Sequence, residues 1–483
     1  MNKSSDKTFT TRIIVLIILL HSDILVAQDT HYWTNQYGTK SVLMGGAVVG
    51  GIKNNTSLFY NPGALGFIDT SSLSINANAY SSTNITLKNA LGQQKDFKSA
   101  NIAAVPLLVG GMFRSGKENK WKIAYGIVTN VDFHFNANAR VDQEHQIVDE
   151  SESPGKEDFI AQAGINSRLK EITAGVGVAR KISENWSVGI SGFVIVRNQE
   201  FFRYQYARMY LNDNTGTLVA TSFARNLKFY NVRFAPKIGI AYEKNNLSAG
   251  LTVSTPALNL FGKGSIGIDI IGNNIDTDTG RINFLGNDSQ EKLKTKYKSP
   301  FSVSAGVNYD LQKSSLGISL QYFGGIGVYD VMRAAPSAFV RPASLNQDLT
   351  SDQYLRLKSG ARSVFNVAVG YEYRFSETLS MLASFRTDMS YFDQDVKESI
   401  GIKSEITTWN IFHFNTGVII SRGRSQLSIG LLTSFGSDKN RSQEGNLDNP
   451  SEENYLQGST TIVGANYFSA GILLGYTLSF KKF

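Results

Sequence analysis

Residues 364–375 read VFNVAVGYEYRF. Phe365, Val367, Val369, Tyr371, Tyr373 and Phe375 share one parity, and Asn366, Ala368, Gly370, Glu372 and Arg374 share the other. Strict alternation marks a strand, because successive side chains leave opposite faces of the pleat. In a soluble sandwich the apolar face would point into a core. Here the polar parity carries glycine, asparagine and charge, and the apolar parity ends in tyrosine and phenylalanine. That combination fits a lipid-facing exterior edged by an aromatic girdle. Residues 301–310 (FSVSAGVNYD) and 470–480 (AGILLGYTLSF) repeat the pattern.

Segments of this kind are read at 71–80, 100–113, 121–135, 171–183, 186–206, 222–243, 247–260, 293–310, 315–329, 361–375, 379–392, 406–422, 425–436 and 466–480. Short connections alternate with long ones, among them 136–170, 330–360 and 437–457. Short turns at one end and long loops at the other are the asymmetry of an outer-membrane barrel, and an even strand count returns both ends to the periplasmic side. Lipid also demands closure, since an open sheet edge would leave backbone groups unpaired. The expected fold is all-β: a 14-stranded antiparallel transmembrane β-barrel over 69–483, preceded by a hatch.

Composition narrows the chemistry. The 483 residues include no Cys and only 18% charged residues, below the ~25% typical of soluble domains. Without Cys there is no disulfide framework, thiolate metal centre or thiol nucleophile. His21, His31, His134, His145 and His413 are too scattered to suggest a metal site. The net charge of +8 is spread out, with no basic arm, so no nucleic-acid partner is expected. Gly111–Lys117 approximates a phosphate loop, but Glu118 follows where Ser or Thr is needed. Gly262–Gly267 fits GxGxxG but continues as an alternating strand, and Asp276–Gly280 starts like a calcium loop with its glycine one place early. No enzyme activity, cofactor or metal is expected.

The N-terminus is different. Residues 1–12 are polar and basic, 13–20 read IIVLIILL, and HSDILVAQ follows. This is the layout of an export signal, expected over 1–27, and the apolar run is far short of the ~20 residues a membrane helix needs. Residues 28–68 alternate poorly, are rich in small residues such as Gly45, Gly46, Ala47, Gly50 and Gly51, and end in NTSLFYNPGALGFI. Placed ahead of the first strand, this segment is expected to fold back into the lumen as a plug. The turn Phe59-Tyr60-Asn61-Pro62 would help to close it: the Asn61 side chain can bond local backbone, and the two rings would meet ligand or wall. These four are the candidate ligand-binding or gating residues.

The stretch GGAVVGGIKNNTSLFYNPGALGFI (45–68) resembles the N-terminal signature of FadL-type outer-membrane transporters of hydrophobic compounds. LSAGLTVSTPALNLFGKGSI (247–266) and YKSPFSVSAGVNY (297–309) are similar to that family too. Gly63-Ala64 departs from it, since the family usually has Ala then Gly after the proline. The final LGYTLSF resembles the signal read by the outer-membrane assembly machinery. The resemblance implies residence in the outer membrane of a Gram-negative bacterium and passive uptake of hydrophobic small molecules such as long-chain fatty acids. It also implies lateral exit through the wall near a kinked third strand; Pro106, lacking an N–H, must disturb pairing in that region. The implied partners are a hydrophobic ligand, outer-membrane lipid or detergent, and the assembly machinery. PorV-like barrels resemble the same signature, so a secretion-associated barrel binding exported cargo proteins is an alternative, and a general porin is a third.

Overall fold

The computed structural model describes residues 29–115, 120–277, 280–342, 350–399, 402–403, 407–443, 445–459 and 461–480. The expected export signal at 1–27 lies outside them. Alternating sequence becomes strand throughout: β1 (Ser72–Leu87), β2 (Phe97–Ser115), β3 (Trp121–His145), β4 (Glu157–Lys181), β5 (Trp186–Tyr210), β6 (Leu218–Lys244), β7 (Leu247–Ser254), β8 (Leu258–Ile275), β9 (Ile282–Lys294) and β10 (Ser302–Asp310). Then follow β11 (Ser314–Phe323), β12 (Ile326–Arg333), β13 (Val340–Arg341), β14 (Arg356–Ala361), β15 (Val364–Arg374), β16 (Leu379–Asp388), β17 (Ile402–Lys403), β18 (Ile411–Arg422), β19 (Ser425–Ser442) and β20 (Ile462–Ser479).

The wall has fourteen places. In order they are β1 to β6, then β7 continued upward by β8, then β9 continued downward by β10, then β11, β15, β16, β18, β19 and β20. Neighbours are antiparallel, and β20 closes on β1 from Ser479↔Ser72 to Ala465↔Leu87. β12, β14 and β17 form a small separate sheet. No helix among the described residues is long and apolar enough to cross a membrane; the strands do the crossing. Their facing follows the alternation: Phe365, Val369, Ile472 and Leu474 are 50%, 38%, 46% and 45% exposed, whereas Asn366 is fully buried. A closed barrel with such an apolar outer band is of the outer-membrane type.

Several expected boundaries need correction. Residues 136–170 are not one long loop: β3 runs on to His145, and β4 begins at Glu157. A bulge between Thr129 and Val131 shifts the parity of β3, so that Lys122, Ala124, Gly126 and Val128 are buried below it and Val131, Phe133, Phe135 and Ala137 above it. Above the bulge the sense of the sheet is that of a soluble protein, with apolar residues inside and polar ones outside. Phe135, Phe159, Ala161, Phe201 and Ile268 join one apolar core there. The segments expected at 247–260, 293–310 and 315–329 are each broken, between β7 and β8, β9 and β10, and β11 and β12.

Residues 29–68 run inside the ring. Two short helices, α1 (Thr39–Leu43) and α2 (Ser57–Tyr60), are linked by glycine-rich turns, and Asn61 joins α2 to a 3₁₀ turn at Pro62–Phe67. The wall meets them with hydrogen bonds from inward side chains. Asn415 Nδ2 donates to Val42 O (3.0 Å), Asn308 Nδ2 to Ala47 O (3.0 Å) and Ser319 Oγ accepts from Val49 N (3.1 Å). Lys40 pairs with Glu372 at 2.7 Å.

Candidate functional site

The turn at Asn61 is built against the wall. Asn61 is fully buried. Its Nδ2 donates to Val49 O (3.0 Å) and Ile240 O (3.1 Å), and its Oδ1 accepts from Gly63 N (3.0 Å). One side chain thus ties two parts of the inner segment to each other and to β6. Pro62 rests on Gly189, where a Cβ would sit 2.3 Å from the Pro62 carbonyl. Tyr60 Oη accepts from Tyr37 N (2.9 Å) and donates to Gln36 Oε1 (2.9 Å). Burial raises the phenols of Tyr37 and Tyr60 above the usual range, so both stay neutral.

Phe59 faces a cavity of about 240 Å³. Its ring stacks on Phe193 at 5.5 Å and lies 5.7 Å from that of Tyr37. Val128, Leu169, Tyr32 and Phe323 belong to the apolar lining, while Tyr60, Asn61 and Pro62 are not part of the cavity wall. Of the four candidates, then, Phe59 touches the cavity and the other three hold the turn that carries it.

The cavity has a charged floor that the sequence reading did not single out. Arg233 Nη2 donates to Glu171 Oε2 (2.5 Å), and Arg197 Nη1 reaches the same oxygen at 3.3 Å. Asn130 Nδ2 donates to Glu171 Oε1 (3.3 Å). Both guanidinium groups lie over the Tyr297 ring, at 4.0 Å for Arg197 and 4.7 Å for Arg233. Arg197 and Arg233 are only 3% and 1% exposed. Among the described residues, Arg197 Nε and Arg233 Nε and Nη1 have no hydrogen-bond partner. Two buried cations thus share one carboxylate, a local charge of +1 that suits an incoming anion. The four residues sit on β3, β4, β5 and β6, too far apart in sequence for any motif to reveal them.

Beside the cavity the wall is split. The β2–β3 ladder runs only from Ser115↔Trp121 to Leu108↔Val128; above that level each strand has one ladder, with β1 or β4, and Asn136 N donates to Ser99 Oγ (3.0 Å) between them. Pro106 stands two residues above the end of the shared ladder, opposite Ala77, next to a register shift in β1–β2. On the other lip is the β3 bulge. The inner segment reaches into the split: Asn35 Nδ2 donates to Thr129 O (3.2 Å), and Tyr37 Oη bonds Asn130 Oδ1 at 3.3 Å.

Ring closure and an apolar outer band define a transmembrane β-barrel, with residues 29–68 bonded to inward side chains of its wall. Its fold is that of the FadL-type channels. The Pseudomonas aeruginosa FadL homologue aligns with TM-score 0.54 at 12% identity, over 88% of this chain and 94% of its own. The Pseudomonas putida toluene transporter TodX gives TM-score 0.54 at 13% identity, over 92% and 98%. The Ralstonia pickettii toluene transporter TbuX gives 0.52 at 12%, over 92% and 98%. At such identity the likeness is one of fold. No protein-family model and no curated protein matches the sequence.

Proposed function

We propose that this barrel carries hydrophobic small molecules inward across the outer membrane, long-chain fatty acids among them, with residues 29–68 as its hatch and the β2–β3 split as its side exit. The observation that carries this reading is the cavity: an apolar chamber behind the inner segment with two incompletely bonded arginines at its floor. Its volume exceeds the roughly 150 Å³ that holds a benzene ring, and burial of each methylene of a tail contributes about 0.8 kcal/mol. A carboxylate on Arg197 and Arg233 and a tail along Phe59, Phe193 and Leu169 would satisfy both halves of the lining. A general porin has no use for a lumen filled in this way. The neighbours in fold include two toluene transporters, which supports apolar cargo.

The test is displacement of a fluorescent fatty acid from the detergent-solubilised barrel by dodecanoic acid and by dodecanol. Arg197→Gln, which leaves the Arg233–Glu171 pair intact, should weaken the acid about tenfold or more and the alcohol little, because a charge-assisted bond is lost only for the acid. Absence of any binding to the wild type would end the proposal.

A further inference from the structure

A second interruption of the wall lies around the ring from the β2–β3 split. β7 pairs with β10 up to Ser254↔Ser302, and β8 pairs with β9 from Lys263↔Lys294 upward. Between those levels, residues 255–261 and 296–301 belong to neither ladder. Two bonds frame the top of the gap: Thr295 N to Gly262 O (3.2 Å) and Tyr297 N to Asn259 Oδ1 (3.2 Å). Each lip holds a proline, Pro256 and Pro300, so two of the backbone donors that a ladder would need do not exist.

The gap communicates with the cavity. Lys298, Ser299 and Pro300, three residues in a row, all line it, as do the consecutive Ser254 and Thr255. In an intact strand only alternate residues could face inward. The gap also lies at lipid depth. Leu251 below it and Leu258, Leu260 and Phe261 on one lip are 48%, 63%, 52% and 58% exposed, and Phe301 on the other lip is 41% exposed. Irregular backbone is tolerated at that depth only where it borders protein or a cavity.

We infer that this gap is a second side portal, through which a single-tailed anionic amphiphile moves between the cavity and the outer leaflet of the surrounding bilayer. The inference rests on the reading of the cavity as the ligand site. The apolar lips accept the tail from lipid, and the arginine floor draws the head inward.

The absence of Cys from the chain allows a single thiol to be placed on either lip, outside the cavity lining, as Ala257→Cys or Phe301→Cys. A bulky thiol reagent then caps the gap and a reductant uncaps it. The full-length protein in phospholipid vesicles containing a dansyl-labelled fatty acid is followed by stopped-flow fluorescence. Ile102→Cys, likewise capped, obstructs the β2–β3 split and sets the baseline. Adding the cap at either lip should slow both binding and release about tenfold relative to that baseline, leave the equilibrium affinity unchanged, and be reversed by reductant, as expected of a gate. Equal rates with and without the lip cap would overturn the portal while leaving the cavity reading in place. No dansyl signal in the uncapped wild type would overturn both.

Discussion

Gly239 and Gly250 face the lumen, and a Cβ on either would collide with the inner segment: 2.2 Å from Asn61 Oδ1 in one case and 2.2 Å from Val49 O in the other. The wall is therefore cut back where the Asn61 turn is seated. Gly250→Leu should unseat the turn without touching the ladders on either side, and single-channel recordings should show a larger or noisier conductance from a barrel that still runs as a compact band when unheated. Asn61→Ala leaves the Val49 and Ile240 carbonyls without their donor, a loss worth about 1–3 kcal/mol locally. Faster amide exchange confined to residues near the turn is the expected readout. On the outer face the sign of the argument reverses. Arg at Val367, at mid-height of β15, should cost about 2–4 kcal/mol in denaturant-dependent refolding into vesicles, whereas Val367→Leu should cost little.

At the scale of the element, β3 shows what alternation tells and what it conceals. One bulge at Asn130 turns a strand whose large apolar residues, Trp121, Tyr125 and Ile127, face outward into one whose apolar residues, Val131, Phe133 and Phe135, face inward. Phe135→Ala, in the upper core, should therefore cost about 3–5 kcal/mol, and its exposed neighbour Asn136→Ala should stay within about 0.5 kcal/mol. Equal costs at the two sites would contradict the reversal. The same reversal explains why residues 136–170 read as loop in the sequence. The lipid-facing rule works for 364–375, where apolar means outward. Applied to HFNANARVDQEH (134–145) it finds alternation, but with small and charged residues in place of a large apolar outer face. The ring of fourteen was legible because every membrane-level strand obeys one rule with one period. The breaks at 255–257 and 295–301 were not, since the alternation of SAGLTVS and SVSAGVNY continues up to them and only Pro256 and Pro300 mark the place. The candidate turn Phe59–Pro62 was visible as a motif, because its two aromatics, asparagine and proline are contiguous. Asn130, Glu171, Arg197 and Arg233 were not, because only the register of β3 to β6 brings them together.

At the scale of the whole molecule, the wall and the inner segment are held by separate means. Fourteen strands close through their own ladders, with β20 on β1 completing the ring, and a ring without edges needs no filler to satisfy its backbone. The inner segment contributes side-chain bonds and close packing against inward glycines, asparagines and serines such as Gly250, Asn308 and Ser319. Once it is removed, those wall groups can bond water instead, so a polar, hydrated lumen is a stable alternative to a filled one. Deletion of residues 29–68, with 1–28 retained, should consequently leave a heat-modifiable, sheet-rich barrel. In planar bilayers that barrel should conduct ions as an open pore, and in vesicle-swelling assays it should admit small sugars that the intact protein excludes. Its capture of a dansyl-labelled fatty acid should fall at the same time, because Phe59 and Tyr32 leave the cavity with the segment and the arginine floor is opened to water, where its charges are screened. A deletion variant that folds but conducts no more than the wild type would show that the lumen is closed by the wall and the extracellular core, and would remove residues 29–68 from the role of hatch.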